Sequence, residues 1–337
     1  MKYKFVLIMM LIAVLAMVNL LMGTVDISSG EVFRILTGDK SDIIHYNIIW
    51  KSRLPQTVTA IVAGAGLSVS GLQMQTVFRN PLAGPSVLGI SNGAALGVAF
   101  VVLLSGQIGG VALSEIGIMG DAALNIAAIG GALAVMGLIA WVSNKVQNSV
   151  TLLIIGVMIG YLATAIISVL KFFSAEEDVH AYVIWGLGSF ARVSAGQVWL
   201  FAAIMAILIP LSMLLVKQMN LLLLGDRYAR NLGVNIKRSR LLIICSSGTL
   251  VAVITAYCGP IMFIGLAVPH LCRGLLRTSD HRILMPATML MGALLALFCN
   301  LVARLPGYEG ALPVNSVTAL IGAPVVASVL FKRRVKG

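Results

Sequence analysis

Apolar stretches of membrane-crossing length recur from one end of this chain to the other, and no polar interval between them is long enough to house a soluble domain. A bilayer's hydrocarbon core is about 30 Å thick, so a spanning helix needs roughly 20 mostly apolar residues. Ten such segments can be drawn, at about 5–22, 54–77, 86–105, 120–142, 150–172, 195–216, 240–258, 262–276, 284–303 and 314–331. Hydrophobic residues make up 59% of the chain and charged ones 11%. A soluble fold of this length could not enclose that much apolar surface. The expected class is an all-α polytopic membrane protein, with residues 1–337 forming one transmembrane domain. The eighth segment is short and carries Pro269. The first, with Lys2 and Lys4 ahead of an apolar run, resembles a signal peptide, but the run continues to Met22 and no small-x-small cleavage site follows, so an uncleaved span is expected.

Charge orients the spans. With the N-terminus cytoplasmic and ten crossings, only Arg34, Lys40, Lys51, Arg53, Lys171, Arg192 and Arg304 of the 24 basic residues fall outside. Ten of the 12 acids fall outside as well, all but Asp226 and Asp280. The excess of Lys and Arg on one side is the positive-inside signature, and it places both termini in the cytoplasm. The net charge of +12 is therefore topological and gives no support to nucleic-acid binding.

The longest polar interval of the second half is 221–240, LLLLGDRYARNLGVNIKRSR, within a cytoplasmic loop at 218–240. Arg227, Arg230, Lys237, Arg238 and Arg240 face a single acid, Asp226. Asp226 can cap a short helix, and Gly233 can end it in the left-handed conformation. Between them Tyr228, Ala229 and Leu232 share a face by three- and four-residue spacing, with Arg227 and Arg230 on another. A short amphipathic helix at the membrane surface suits a docking element for a soluble partner. A solvated basic loop is the plainer alternative.

The spans hold almost no ionisable side chain. Lys171, Arg53 and Arg304 lie near span ends, where long side chains snorkel. An ion-coupled secondary transporter, the alternative transport class, needs buried acids or histidines for its coupling ion. His270 beside Pro269 is the only candidate, and a packing role suits it better. No phosphate-binding G-x-x-x-x-G-K-[ST] loop is present, so energy for active transport would come from another polypeptide. A purely structural membrane protein would explain the 34 glycines, several at four-residue spacing (Gly89, Gly93, Gly97; Gly156, Gly160), but not the basic docking loop. Cys245, Cys258, Cys272 and Cys299 lack metal-ligand spacing and read as small buried hydrophobes; no metal or cofactor is expected.

Longer motifs sharpen the reading. Arg53-Leu54-Pro55, the run Ala63–Gly71, Gln75, Arg79-Asn80-Pro81-Leu82-Ala83-Gly84-Pro85 and Leu88-Gly89-Ile90-Ser91-Asn92-Gly93 occupy the first half. Leu224-Gly225-Asp226, Ala229, Leu232-Gly233-Val234, Gly259-Pro260-Ile261, Val268-Pro269-His270, Asp280-His281-Arg282, Ala303-Arg304 and Leu312-Pro313-Val314 follow. In this order, over about residues 50–335, the chain resembles the FecCD-type permeases of ABC importers for iron–siderophores, haem and cobalamin.

The resemblance implies a type II ABC importer fold like that of the cobalamin permease, in the cytoplasmic (inner) membrane. It implies a second permease copy or paralogue, two ATP-binding cassette subunits, an extracytoplasmic substrate-binding protein, and transport by alternating access. Leu224, Gly225, Asp226, Tyr228, Ala229, Leu232 and Gly233 would form the ATPase-coupling element, Asn148 and Ser149 the cytoplasmic gate, and Arg53 and Arg304 the docking points for the binding protein. The sequence departs from the family pattern at Gln56, where a second basic residue is usual, at Asn300 for Asp, and at Asn315 for Gly. Glu309 is displaced from the usual Glu-Leu-Pro by Gly310 and Ala311.

Overall fold

The structure, a computed structural model, describes residues 2–108, 118–146, 148–304 and 312–334. Every regular element among them is helical. The first half comprises α1 (Lys2–Leu21), α2 (Ser29–Leu36), α3 (Ile43–Ile48), α4 (Leu54–Phe78), α5 (Ile90–Ile108), α6 (Ile118–Lys145) and α7 (Ser149–Phe173). The second comprises α8 (Glu176–Gly186), α9 (Val198–Met213), α10 (Val216–Leu223), α11 (Asp226–Asn231), α12 (Ile236–Cys258), α13 (Ile264–Leu276), α14 (His281–Ala303) and α15 (Val314–Arg334).

Six of these are long and apolar enough to cross a membrane, α9 and α10 make a seventh as a pair bent by 44°, and three shorter apolar helices lie in α5, α13 and α15. Together they match the ten expected segments one for one. The sixth is longer than the sequence suggests, because the chain bends after Met213 and continues as α10. The second is also longer: α3, a π-helical turn over Ile49–Arg53 and α4 run on as one 36-residue rod.

α4 is the axis of the molecule. Nearly all of it is buried, and it packs on α9, α12, α13 and α14. Its composition explains this: small residues let neighbouring backbones close in. A Cβ at Gly64 would overlap the Gly292 carbonyl of α14, and one at Gly71 the Gly265 carbonyl of α13. The glycine spacing on α5 works likewise, since Gly93 and Gly97 lie against Gly131 and Ala127 of α6. Hydrogen bonds between spans complete the stitching. Ser70 Oγ meets Ser247 Oγ of α12 at 2.5 Å, Gln73 Nε2 donates to Ser246 Oγ at 3.0 Å, and Gln75 Nε2 donates to Leu266 O at 3.1 Å.

α13 continues helically through Pro269 but has only 13 residues, about 20 Å at 1.5 Å per residue, too short to cross alone. The irregular stretch before it completes the passage, and some of its backbone groups bond to other parts of the protein. Met262 N donates to Asn315 Oδ1 at 3.1 Å, and Ser189 N to Cys258 O at 2.8 Å. His270 Nε2 lies 2.7 Å from Pro81 O, joining α13 to the turn after α4. α1 lies along α14 and is tied to it by Asn19, which bonds Leu297 O and Asn300. The four cysteines are free, three of them buried.

Candidate functional site

α11 hangs between two glycine turns. Gly225 has φ +103° and Gly233 φ +81°, conformations that a side chain would strain. The C-terminal end closes as expected, with Gly233 N donating to Arg230 O at 3.0 Å and Val234 N to Ala229 O at 3.0 Å, the paired bonds of a Schellman motif. Asn235 then caps α12 by accepting from Arg238 N at 3.0 Å.

The N-terminal end differs from expectation. Gly225 occupies the cap position and Asp226 is the first helical residue. The Asp226 carboxylate is engaged elsewhere: Oδ1 accepts from Arg79 Nη2, and Oδ2 from Arg240 Nη2 at 2.7 Å. Both guanidinium bonds are charge-assisted, and they occupy the carboxylate oxygens that would otherwise cap the helix. Arg79 also donates to Leu222 O at 3.1 Å, closing the end of α10.

The apolar face also needs correction. Tyr228 is 70% exposed and Leu232 61%, with Leu224 exposed beside them, whereas Ala229 is fully buried. Ala229 seats α11 on the protein; Tyr228 and Leu232 point away from it. A helix packed through one side at such short length presents its aromatic and leucine outward only because the small residue takes the inner side.

Asn148 and Ser149 lie beside this element. Asn148 caps α7, its Oδ1 accepting from Val150 N at 2.9 Å. With Ser149 it lines a polar cleft of about 350 Å³ whose other wall includes Asp226, Arg230, Lys237 and Arg240. Of the coupling residues inferred from the sequence, Asp226 shares this cleft with Asn148 and Ser149; the others do not line it.

A neighbouring polar cluster escaped sequence reasoning. Asp280 caps α14 by accepting from Arg282 N at 2.9 Å and also accepts from Asn220 Nδ2 at 2.7 Å. The Arg282 amide and then the Asn220 side chain hold its carboxyl below the usual carboxylate range. His281 bridges Asn220 Oδ1 at 2.7 Å and Thr76 Oγ1 at 2.8 Å, joining α10, α14 and α4. The Asp-His-Arg motif was the available signal; its partners Asn220 and Thr76 carried none.

Arg53 and Arg304 sit together at the opposite end, but not on the surface. Arg53 is 1% exposed and Arg304 9%. Arg53 Nη1 donates to Leu20 O at 2.8 Å and Leu21 O at 2.7 Å, and its Nη2 to Val25 O; Arg304 Nη2 reaches Met22 O at 3.5 Å. The expected snorkelling position is thus replaced by an internal one. The carbonyls at the end of α1 and in the turn after it need donors, and a cation at a helix C-terminus also opposes its dipole. Among the described residues, the one group of three side chains placed to hold a metal is Glu31, Asp42 and His45. His45 Nδ1 lies 2.6 Å from Glu31 Oε1 and 3.3 Å from Asp42 Oδ2, spacings that fit an imidazolium paired with carboxylates.

Residues 10–332 match the FecCD transport family. The chain belongs to that family. It is a permease of the FecCD type, a polytopic transport protein and not an enzyme. It is 37% identical to the vitamin B12 import system permease protein BtuC of Klebsiella pneumoniae over 289 residues, 86% of this chain and 84% of the relative. It is 36% identical to the BtuC of Escherichia coli O127:H6 over 318 residues, 94% of each. A solved structure of an ABC transporter ascribed to the metal-chelate type, in an inward-facing conformation, superimposes with a TM-score of 0.84 at 30% identity, covering 98% of this chain and all of the other. Two of the positions at which the sequence departs from the family pattern make hydrogen bonds within the fold. Asn300 donates to Asn19 Oδ1 at 2.8 Å, and Asn315 accepts the Met262 amide. Gln56 is buried at the start of α4. Glu309, Gly310 and Ala311 lie outside the described residues.

Proposed function

We propose that this FecCD permease is the membrane subunit of a binding-protein-dependent importer that carries a large metal chelate, with cobalamin the first candidate, into the cytoplasm by alternating access. Residues 1–337 act as one permease domain that pairs with a second copy or a paralogue, and both termini lie in the cytoplasm. The 218–240 loop is the coupling loop: two ATPase subunits each receive one α11, through Tyr228 and Leu232. Asn148 and Ser149 form the gate that the same movement opens. Outside, the binding protein meets the α1–α2 connection, which Arg53 and Arg304 hold in shape from within.

The observation that carries this reading is the outward display of Tyr228 and Leu232 on a short helix surrounded by arginines. In water, large apolar side chains on a charged rim mark a contact surface. The substrate class rests on the B12 permease relatives, cobalamin being itself a metal chelate, and on the metal-chelate transporter that shares the fold. Tyr228→Asp with Leu232→Asp should abolish ATPase co-purification and transport, because an unpaired carboxylate buried at an interface costs about 2–5 kcal/mol. Retained assembly and transport in the double variant would refute the contact. Uptake of labelled cobalamin, haem and ferric siderophores by the assembled importer tests the substrate class, and failure with all three would remove it.

A further inference from the structure

α11 presents a mechanical problem. With six residues it is too short to be stable alone, and it is bounded by Gly225 and Gly233, around both of which the space is open. A push on such an element reaches the spans only through the contacts that tie it to them, of which the buried Ala229 is one.

Asp226 supplies another. It is the only acid between Asp178 and Asp280, in a segment crowded with arginine and lysine. Its two carboxylate oxygens are divided between arginines from different helices: Arg79, immediately after α4, and Arg240, in the first turns of α12. Those helices pack together and are hydrogen-bonded to each other at Ser70–Ser247 and Gln73–Ser246. Arg79 itself holds φ +47°, a left-handed conformation that glycine would adopt more readily. The Arg79 side chain reaches both Asp226 and the Leu222 carbonyl, on the two sides of the Gly225 turn.

We infer that Asp226, Arg79 and Arg240 form an ionic anchor that makes α11 rigid with α4 and α12, so that displacement of α11 by the ATPase is delivered to the central spans and to the Asn148–Ser149 cleft. This rests on the reading of α11 as the ATPase contact. Arg79 and Arg240 are then positioning residues, acting on transport through Asp226 without touching substrate or nucleotide. Arg79 and Asp226 are partly exposed and Arg240 is largely buried, and the solvated Arg79 pair by itself contributes little to overall stability. The anchor's value is geometric: it bypasses both glycine turns.

The test uses the complete importer, permease with ATPases and loaded binding protein, in proteoliposomes. Arg79→Gln should leave ATPase co-purification intact while substrate transported per ATP hydrolysed falls roughly tenfold, within the range typical of coupling between sites. Arg79→Lys should recover a large part of that loss, and the charge exchange R79D with D226R should recover some of it even if Arg79→Gln alone assembles poorly. Unchanged transport per ATP in Arg79→Gln, or a loss that neither Arg79→Lys nor the exchange relieves, would overturn the anchor. The Tyr228→Asp, Leu232→Asp variant separates the two ideas: its failure to disturb co-purification removes α11 as the contact, whereas the anchor fails on transport per ATP with the contact intact.

Discussion

Arg53→Met removes a buried charge while keeping most of the side chain's length, and the structure predicts what that does. Three carbonyl acceptors, on Leu20, Leu21 and Val25, lose their donors. A buried polar group left without a partner costs about 1–3 kcal/mol, so the gross loss is on the order of 3–9 kcal/mol. Two effects offset it. Methionine carries no desolvation penalty, and Arg304, whose guanidinium approaches the same turn at Gly23, no longer faces a like charge and can take over part of the bonding. With these offsets a net loss of about 2–4 kcal/mol is expected, toward the lower end of the gross figure. The assay is the apparent melting temperature in detergent at a fixed heating rate, with binding-protein affinity measured at low and high salt on the same preparation. The anchoring account expects a fall of several degrees and a binding defect that salt does not change. A charge at a docking surface would instead lower affinity chiefly at low salt, since exposed pairs are screened. Unchanged melting together with a salt-sensitive loss of affinity would refute the internal role of Arg53.

Gly71→Val should destabilise the fold by at least about 1–3 kcal/mol through overpacking, because its Cβ would meet the Gly265 backbone, which has nowhere to go. Gly137→Ala, with open space around it, should leave the melting temperature near that of the parent, and equal behaviour of the two would disprove the tight α4–α13 approach. With the native cysteines replaced by alanine, Asp39→Cys and Glu177→Cys should react with an impermeant thiol reagent added outside intact cells, and Lys237→Cys should not. Labelling of position 237 from outside would invert the topology.

The number, order and approximate ends of the spans were legible in the sequence because the bilayer leaves so little choice. A backbone in hydrocarbon must satisfy its own hydrogen bonds, and that forces long apolar helices separated by charged turns. The Gly233 stop of α11 and the glycine approaches on α5 were legible for a similar reason, since each depends on residues a few positions apart. The irregular passage before α13 was not, because its amides are satisfied by residues such as Asn315, 53 positions from Met262. The same limit governs the site. Local rules make any Asp before a helix a cap, and make Tyr228, Ala229 and Leu232 one face. Only the folded chain brings Arg79, 147 residues away, to the Asp226 carboxylate, and only packing decides that Ala229 turns inward while its neighbours stay out. Arg53 and Arg304 follow the same logic at the other end. Sequence places a cation near a membrane boundary, where snorkelling outward and capping carbonyls inward are both open to it. The choice fell to the carbonyls at the end of α1, which tertiary structure sets beside these two buried arginines.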